Sequence, residues 1–342
     1  MDAREALAAV VAGRTLTRED AEQVMSSVMV GGATPAQLGA LLAALHVRGE
    51  TVDEIAGFAA AMRAAAVPVR IADGAIDTCG TGGDGSNTFN ISTVSAIVAA
   101  GAGARVAKHG NRAASSACGS ADVLEALGVR IDLGPEGVAA CVEEAGIGFM
   151  FAPRFHPAMR HAAPVRREIG IRTVFNILGP LANPAGVRRQ LLGVPTPALG
   201  ETMARVLGEL GAVHALVVHG DGLDEISPTG PTRTWEVRDG SVREGTIDPD
   251  HIGLGRAPRE RLVGGDASRN ADIARRVLEG EDGPARTAVL LNAGAACYVA
   301  GLAQDVGEGV VLAVRAIDGG AAAASLARFA ETSHRLGAAE AS

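Results

Sequence analysis

Lysine is nearly missing from this chain. Of its 31 lysines and arginines, one is a lysine, Lys108. A chain that uses arginine everywhere else and keeps one ammonium points to a place where a compact point charge works and a broad planar fork does not. Cysteine is sparse as well. Cys79, Cys118, Cys141 and Cys297 form no CxxC pair and match no zinc spacing, so reduced thiols are expected instead of a disulfide framework or a zinc site. No apolar run free of charge and glycine is long enough to span a bilayer. The N-terminal stretch carries acids where a secretory leader would be basic. A cytoplasmic protein without membrane contact is the expectation. Basic excess is also lacking: the formal net charge is -8, which counts against a general nucleic-acid binder. What is present is ample apolar material, 47% hydrophobic against 20% charged residues. That balance excludes disordered and fibrous chains and, at this length, leaves room for about two domains.

The first seventy or so residues read as helical. Thr17, Thr34 and Thr51 each stand three residues before an acid or amide, Asp20, Gln37 and Glu54. That is the spacing at which a side chain caps a helix start and receives a return bond. Leu38, Leu41, Leu42 and Leu45 recur at helical spacing, and Pro68 ends the module. Strands and helices then alternate. Strands are expected at Ala75–Cys79, Arg105–Lys108, Ile147–Phe151 and Val213–Val218, and helices at Ser92–Ala102, Ser120–Leu127 and Gly134–Ala145. Such alternation implies a mainly parallel sheet with helices on its faces. His156–Asn176 reads as helical and arginine-rich. Thr232–Val237 and Ser241–Ile247 flank Asp239-Gly240, a hairpin signal. Ala-rich helices close the chain around Ala285–Ala300 and Val306–Phe329.

The most informative stretch follows the first strand. Gly80, Gly82, Gly83 and Gly85 stand in a loop that leads into a helix. Glycine lets backbone N–H groups approach an anion closely. The helix start at Asn90, Ile91 and Ser92 offers further free N–H groups, and Ser92 and Thr93 add hydroxyls, so a phosphate is the expected ligand. The same glycines match GxGxxG. A dinucleotide site would, however, want an acid at the end of the next strand, and this chain has Lys108-His109 there. A second phosphate-binding element is therefore read at Lys108–Ser116, with charge from Lys108, a fork from Arg112 and donors from Ser115, Ser116 and Ser120. His109 reads as a lining group and not as a base. Asp224 and Glu225, just past the strand ending at His219, suit a magnesium ion held through oxygen ligands and water. Arg160, Arg166, Arg167 and Arg172 form a cluster whose members are expected to be solvated or paired with acids such as Glu168, with one free to hold a carboxylate. Spacing does not choose which.

Four blocks, Gly80–Thr93, Lys108–Gly128, Phe155–Pro184 and Asp221–Gly230, together resemble the anthranilate phosphoribosyltransferase family over nearly the whole chain and in the family's order. The resemblance implies a nucleoside phosphorylase-like, class IV phosphoribosyltransferase fold: a small all-helical domain plus a large α/β domain with a mainly parallel central sheet. The small domain would take residues 1–70 and a returning segment near 166–184; the large one, 71–165 and 185–342. It implies a homodimer that moves the phosphoribosyl group of 5-phosphoribosyl-1-pyrophosphate to the amine of anthranilate with Mg2+, in tryptophan biosynthesis. By the same resemblance Gly80, Gly83, Asp84, Thr88, Asn90, Ile91, Ser92 and Thr93 contact the donor. So do Lys108, His109, Gly110, Asn111, Arg112, Ala113, Ala114, Ser115, Ser116 and Ser120. Ser92, Asp224 and Glu225 would take the metal. Gly80, Asn111 and Arg166 would hold anthranilate, Arg166 facing its carboxylate, while His156, Pro157 and Met159 line its channel. Ala117-Cys118 stands where many members have Lys or Ser, which puts a direct phosphate contact there in doubt. No general base is expected; Lys108, His109, Asn111 and Arg166 contribute by position and charge. Two alternatives are a pyrimidine nucleoside phosphorylase and a non-catalytic nucleic-acid-binding relative of the same fold.

Overall fold

The computed structural model describes residues 1–113 and 117–340. Ala114, Ser115 and Ser116, three of the expected donor contacts, lie outside the described residues. Four helices open the chain: α1 (Ala3–Val11), α2 (Arg18–Met29), α3 (Pro35–Arg48) and α4 (Val52–Ala64). The caps on α3 and α4 are reciprocal, as expected: Thr34 and Thr51 accept from the third-residue N–H, and Gln37 and Glu54 return a bond to the threonine N–H. The start of α2 differs. Thr17 accepts from the Asp20 N–H, but its hydroxyl donates to the Asp20 carboxylate and no return bond reaches the Thr17 N–H. Asp has one methylene fewer than Glu, which shortens its reach. Glu54 goes further than a cap. Fully buried, it also accepts from the Leu16 N–H at 2.8 Å and pairs with Arg48.

Beyond α4, β1 (Ile76–Gly80), β2 (Val106–Gly110), β3 (Ile147–Phe151), β4 (Arg189–Gly193) and β5 (His214–His219) run parallel; β6 (Thr232–Arg238) and β7 (Ser241–Ile247) add an antiparallel hairpin. Asp239 and Gly240 both have positive φ, 51° and 73°, as a tight hairpin turn requires. The spatial order is β3-β2-β1-β4-β5-β6-β7. Chain order therefore reverses between β1 and β4, and in open α/β sheets ligands bind outside the carboxyl ends of the strands at such a switch point. The glycine loop leaves β1 there.

Helices cover both faces: α5 (Ile91–Gly101), α6 (Ser120–Ala126), α7 (Pro135–Ala145), α8 (Ala152–Phe155), α9 (Ala163–Ile169), α10 (Phe175–Leu178), α11 (Ala198–Glu209), α12 (Ala267–Leu278), α13 (Pro284–Ala300), α14 (Val306–Asp318) and α15 (Ala321–Glu340). Alternate strand residues serve two cores. Leu191, Leu216 and Val218 join α5, α13 and α7, whereas Leu192, Val194, Ala215 and Val217 join α1–α4, α11 and residues of the 162–182 segment.

Two expected helices are broken. The 156–176 stretch is a 3-10 turn (Pro157–His161), then α9, then an irregular link to α10. Pro157 and Pro164 each open a new turn, and Gly170 closes α9 in the left-handed conformation. The closing stretch from Val306 is two helices, because Gly319 and Gly320 (φ 76°) end α14. Among the described residues no single helix is long and apolar enough to cross a membrane; α14 and α15 meet both conditions only together, across a 69° bend.

Candidate active site

The glycine loop, residues 81–90, joins β1 to α5 without regular structure, apart from an isolated bridge between Thr88 and Val263. The Phe89 N–H donates to the Leu262 carbonyl, and the Gly264 N–H to that of Asn87, so residues 262–264 brace the loop. Sequence reasoning passed over this brace, since nothing local marks it. Asn90 caps α5 without a side-chain bond to the helix; its amide nitrogen donates to the Cys118 carbonyl at 3.1 Å, while its Oδ1 is buried without a partner among the described residues. The N–H groups expected to cradle phosphate are partly taken by carboxylates. Asp224 Oδ2 accepts from the Gly82 N–H at 2.7 Å, and Glu225 Oε1 from the Ser92 N–H at 3.0 Å. Asp84 accepts from the Ser86 N–H at 3.0 Å and lies at 3.4 Å from the Asp224 N–H.

The two acids reach this place because β5 ends at His219 and the chain turns back through Asp221 and Gly222, both at positive φ (53° and 79°). Asp224 then packs against two strand ends. A Cβ on Gly80 would lie 2.1 Å from Asp224 Oδ2, and one on Gly193 only 1.5 Å from its carbonyl oxygen. Asn292 on α13 holds Ile226, the residue after the acidic pair, from both sides, accepting from its N–H at 2.9 Å and donating to its carbonyl at 2.8 Å. Neither Gly193 nor Asn292 is visible as functional in sequence.

Burial first, and then Asp84, push the Asp224 carboxyl up to about 6. Burial, and then Asp224, push Glu225 well above the usual range, while Lys108 opposes the shift. Among the described residues no three His, Cys, Asp or Glu side chains converge into a cage. Magnesium does not need one: it is held by one or two carboxylates together with substrate phosphates and water. Asp224, Glu225 and the Ser92 hydroxyl supply a donor set of that chemistry.

Lys108 is 2% exposed. Its Nζ donates to the Thr78 carbonyl and lies 3.5 Å from Ser92 Oγ, beneath the loop and not in open space. Below it lies Asp77, buried, which accepts from the His109 N–H at 3.3 Å and from Asn183 Nδ2 at 2.8 Å. Arg112 sits at the far end of the Lys108 segment, beside α6. It is exposed, pairs with Asp122 at 2.9 Å and with Glu125 on α6, and lies over the Phe151 ring. Those acids, Glu125 foremost, hold its guanidinium above its ordinary range. The Ser120 hydroxyl donates to the Asn111 carbonyl at 3.3 Å, and the Ala113 N–H donates to Asp122. A Cβ on Gly110 would come within 2.2 Å of Ser120 Oγ.

Beside the loop lies a cavity of about 610 Å³. Gly80, Asn111 and Arg166, the three residues expected to hold the acceptor, all line it, as do His109, His156, Pro157 and Met159. Met62 of α4 and Phe175 of α10 close it from the helical side. Arg160 also faces it, but Arg166 is the member of the arginine cluster that burial has partly dehydrated, lowering its pKa. None of the four arginines forms an ion pair among the described residues, with Glu168 or any other acid. Arg166 rests on the Phe175 ring, 5.1 Å from its centroid. A half-buried guanidinium facing a cavity without a carboxylate is a costly arrangement unless a ligand supplies one.

The two cavity histidines are neutral. Burial, and then His156, lower His109 to about 3, and burial lowers His156. Their bonds go to the carbonyls of Gly179 and Ala182, and each Nε2 is buried without a partner. The bonding nitrogen is therefore Nδ1, which leaves each Nε2 as a lone-pair acceptor. The rings are tilted, 5.0 Å apart.

Comparison with known proteins gives one consistent picture. The model of the glycosyl transferase family a/b domain matches residues 72–323, and that of the family's helical bundle domain matches residues 4–66. A protein named anthranilate phosphoribosyltransferase from Chloroflexus aggregans is 59% identical over 332 residues, 96% of this chain and 98% of its own. The crystal structure of anthranilate phosphoribosyltransferase from Thermus thermophilus is 49% identical, with a TM-score of 0.92 over 96% of this chain and 99% of its own. The Saccharomyces cerevisiae enzyme of the same name, in complex with phosphoribosyl pyrophosphate (PRPP) and Mg, is 28% identical, with a TM-score of 0.89 over 97% of this chain and 98% of its own.

Proposed function

The chain belongs to the glycosyl transferase family, among relatives named anthranilate phosphoribosyltransferase, and from that premise we infer that it transfers the 5-phosphoribosyl group of PRPP to the amine of anthranilate. The carrying observation is Arg166, a half-buried guanidinium without an ion pair among the described residues, in a cavity that Gly80 and Asn111 share. In the transfer the ribose C1–O bond breaks and pyrophosphate leaves with the electron pair. The amine nitrogen bonds to C1 and loses a proton, giving N-(5-phosphoribosyl)anthranilate, an intermediate of tryptophan biosynthesis. Arg166 and Asn111 hold the acceptor so that its amine faces the glycine loop. Asp224, Glu225 and Ser92 would hold Mg2+, which when bound offsets the charge of the departing pyrophosphate. Gly83, Asp84, Thr88 and Asn90–Thr93 contact the donor, over the charge of Lys108. No strong base is required, because an aromatic amine attacks through a free lone pair; His109, neutral down to about pH 3, lines the site.

Incubating the protein with magnesium, PRPP and anthranilate should abolish anthranilate fluorescence. Arg166→Gln should raise the acceptor KM by roughly 10- to 100-fold, the worth of a charge-assisted bond, and leave the donor KM alone. Folded protein that leaves the fluorescence unchanged refutes the reading. The phosphorylase and nucleic-acid alternatives gain no support from relatives this similar.

Residues 1–70 with 166–184 are taken as the small helical domain, and the cavity lies between it and the α/β domain. Four cysteines outside any disulfide suit a reducing, cytoplasmic compartment. A homodimer is what the family resemblance implies. Sedimentation showing a monomer at micromolar concentration would count against it.

A further inference from the structure

One cation reaches the glycine turn without forming an ion pair among the described residues. Arg172 extends from the link between α9 and α10, and its Nη2 donates to the Gly82 carbonyl at 3.3 Å. Its guanidinium lies so close over Gly83 that a Cβ there would sit 1.5 Å from Nη1. Gly83 is therefore a clearance for this side chain as well as a bend at positive φ (82°). Arg172 is exposed and forms no ion pair among the described residues. The two cations that sequence reading assigned to phosphate are otherwise engaged: Lys108 is buried under Thr78 and Ser92, and Arg112 is clamped by Asp122 and Glu125. The groups that close on this turn from the other side, Asp84 and Asp224, are anions.

We propose that Arg172 is a further donor-binding cation of this site, meeting the diphosphate of PRPP above the Gly82–Gly83 turn. The idea rests on the phosphoribosyl-transfer reading above. A single long bond to a neutral carbonyl is weak, and a planar fork exchanges it readily for paired, charge-assisted bonds to phosphate oxygens. As the C1–O bond breaks, charge gathers on those same oxygens, so the contact strengthens toward the transition state. Arg166 stands on the same short segment with its guanidinium in the cavity. One stretch of chain then presents one fork to the acceptor carboxylate and another to the donor diphosphate.

The test is steady-state kinetics with magnesium on wild type, Arg172→Gln, Arg172→Ala and Arg172→Lys, varying donor and acceptor separately, with inorganic pyrophosphate as product inhibitor. Far-ultraviolet circular dichroism checks that each variant is folded. Gln and Ala should raise both the donor KM and the pyrophosphate inhibition constant by roughly 10- to 100-fold at unchanged acceptor KM, and Lys should recover part of the loss. Unchanged donor KM and pyrophosphate inhibition, with wild type turning over, overturn the proposal while the transferase reading stands. So does an acceptor KM that moves by the same factor, since Arg172 would then act by shaping the cavity. If wild type itself does not turn over, the transferase reading fails, and calorimetric titration of magnesium pyrophosphate into wild type and Arg172→Gln still decides the role of Arg172: equal affinity refutes it.

Discussion

Asp224→Asn and Glu225→Gln should each lower kcat/KM by roughly 100-fold or more, the scale of losing a preorganised charge partner, while the metal-free protein becomes no less stable and, for Asp224→Asn, more so. The amides keep the local bonds: an Asn oxygen still accepts from the Gly82 N–H and a Gln oxygen from the Ser92 N–H. What they lose is the charge for a cation. The stability effect follows from the raised Asp224 pKa. Its folded value of about 6 stands above the ordinary value of 3.8. A raised folded pKa contributes stability that is fully present below the unfolded value and lost as pH rises through the folded one. Between about pH 4 and about pH 8 the metal-free wild type should therefore give up on the order of 2–3 kcal/mol at this residue alone. Asn does not titrate and avoids that loss. Magnesium should restore it in wild type, more at about pH 8 than at about pH 5, where protons compete for the same oxygens. Thermal melts of wild type and both variants, with and without magnesium at the two pH values, check all of this. An Asp224→Asn protein that melts well below wild type near pH 8 without metal would show that the carboxylate is a structural asset and not a strained ligand.

Lys108→Met should be the most damaging single change to stability in the donor region. The ammonium is buried between Thr78 and Ser92, with Asp77 below and Glu225 beside it, both raised by burial and both held down by Lys108. Removing it leaves buried carboxylates uncompensated, a change that typically costs about 3–5 kcal/mol. The deficit should shrink toward acid, because without the lysine the two carboxylates take up protons more readily and so are neutral over more of that range. Lys108→Arg tests shape at constant charge. With 2% of the residue exposed, a guanidinium has to displace Thr78, Ser92 or the loop above, and overpacking costs about 1–3 kcal/mol. Donor KM should rise in both variants. Urea denaturation at about pH 8 and about pH 5, with donor KM alongside, reads the result. Wild-type stability and affinity in Lys108→Met would mean that the only lysine in the chain carries no structural or functional charge.

Features set by neighbours in sequence were legible in advance. Thr34 with Gln37, Thr51 with Glu54, and Asp239 with Gly240 behave as their spacing indicates, because capping and tight turns are short-range chemistry. Thr17 with Asp20 shows how one methylene alters the outcome. The 156–176 stretch misled because its apolar and arginine spacing looks helical, yet Pro157, Pro164 and Gly170 cut it into pieces that let the cavity wall curve. Gly80, Asn111 and Arg166, far apart in sequence, line one cavity. Asn292, Asn183 and Gly193, which lie against Ile226, Asp77 and Asp224, were invisible, since each acts on a residue far away in sequence.

The glycine loop, the alternation that builds a parallel sheet, and the ordered motifs that mark the family are all written in consecutive residues, and no fold was needed to read them. Which positive charges are available is settled by folding. Packing sank Lys108 beneath the loop, tied Arg112 to Asp122 and Glu125 on α6, and left Arg166 facing the cavity and Arg172 over the Gly82–Gly83 turn, neither in an ion pair among the described residues. A charge's strength and freedom depend on its distance to other charges and on the water around it, and spacing along a chain encodes neither.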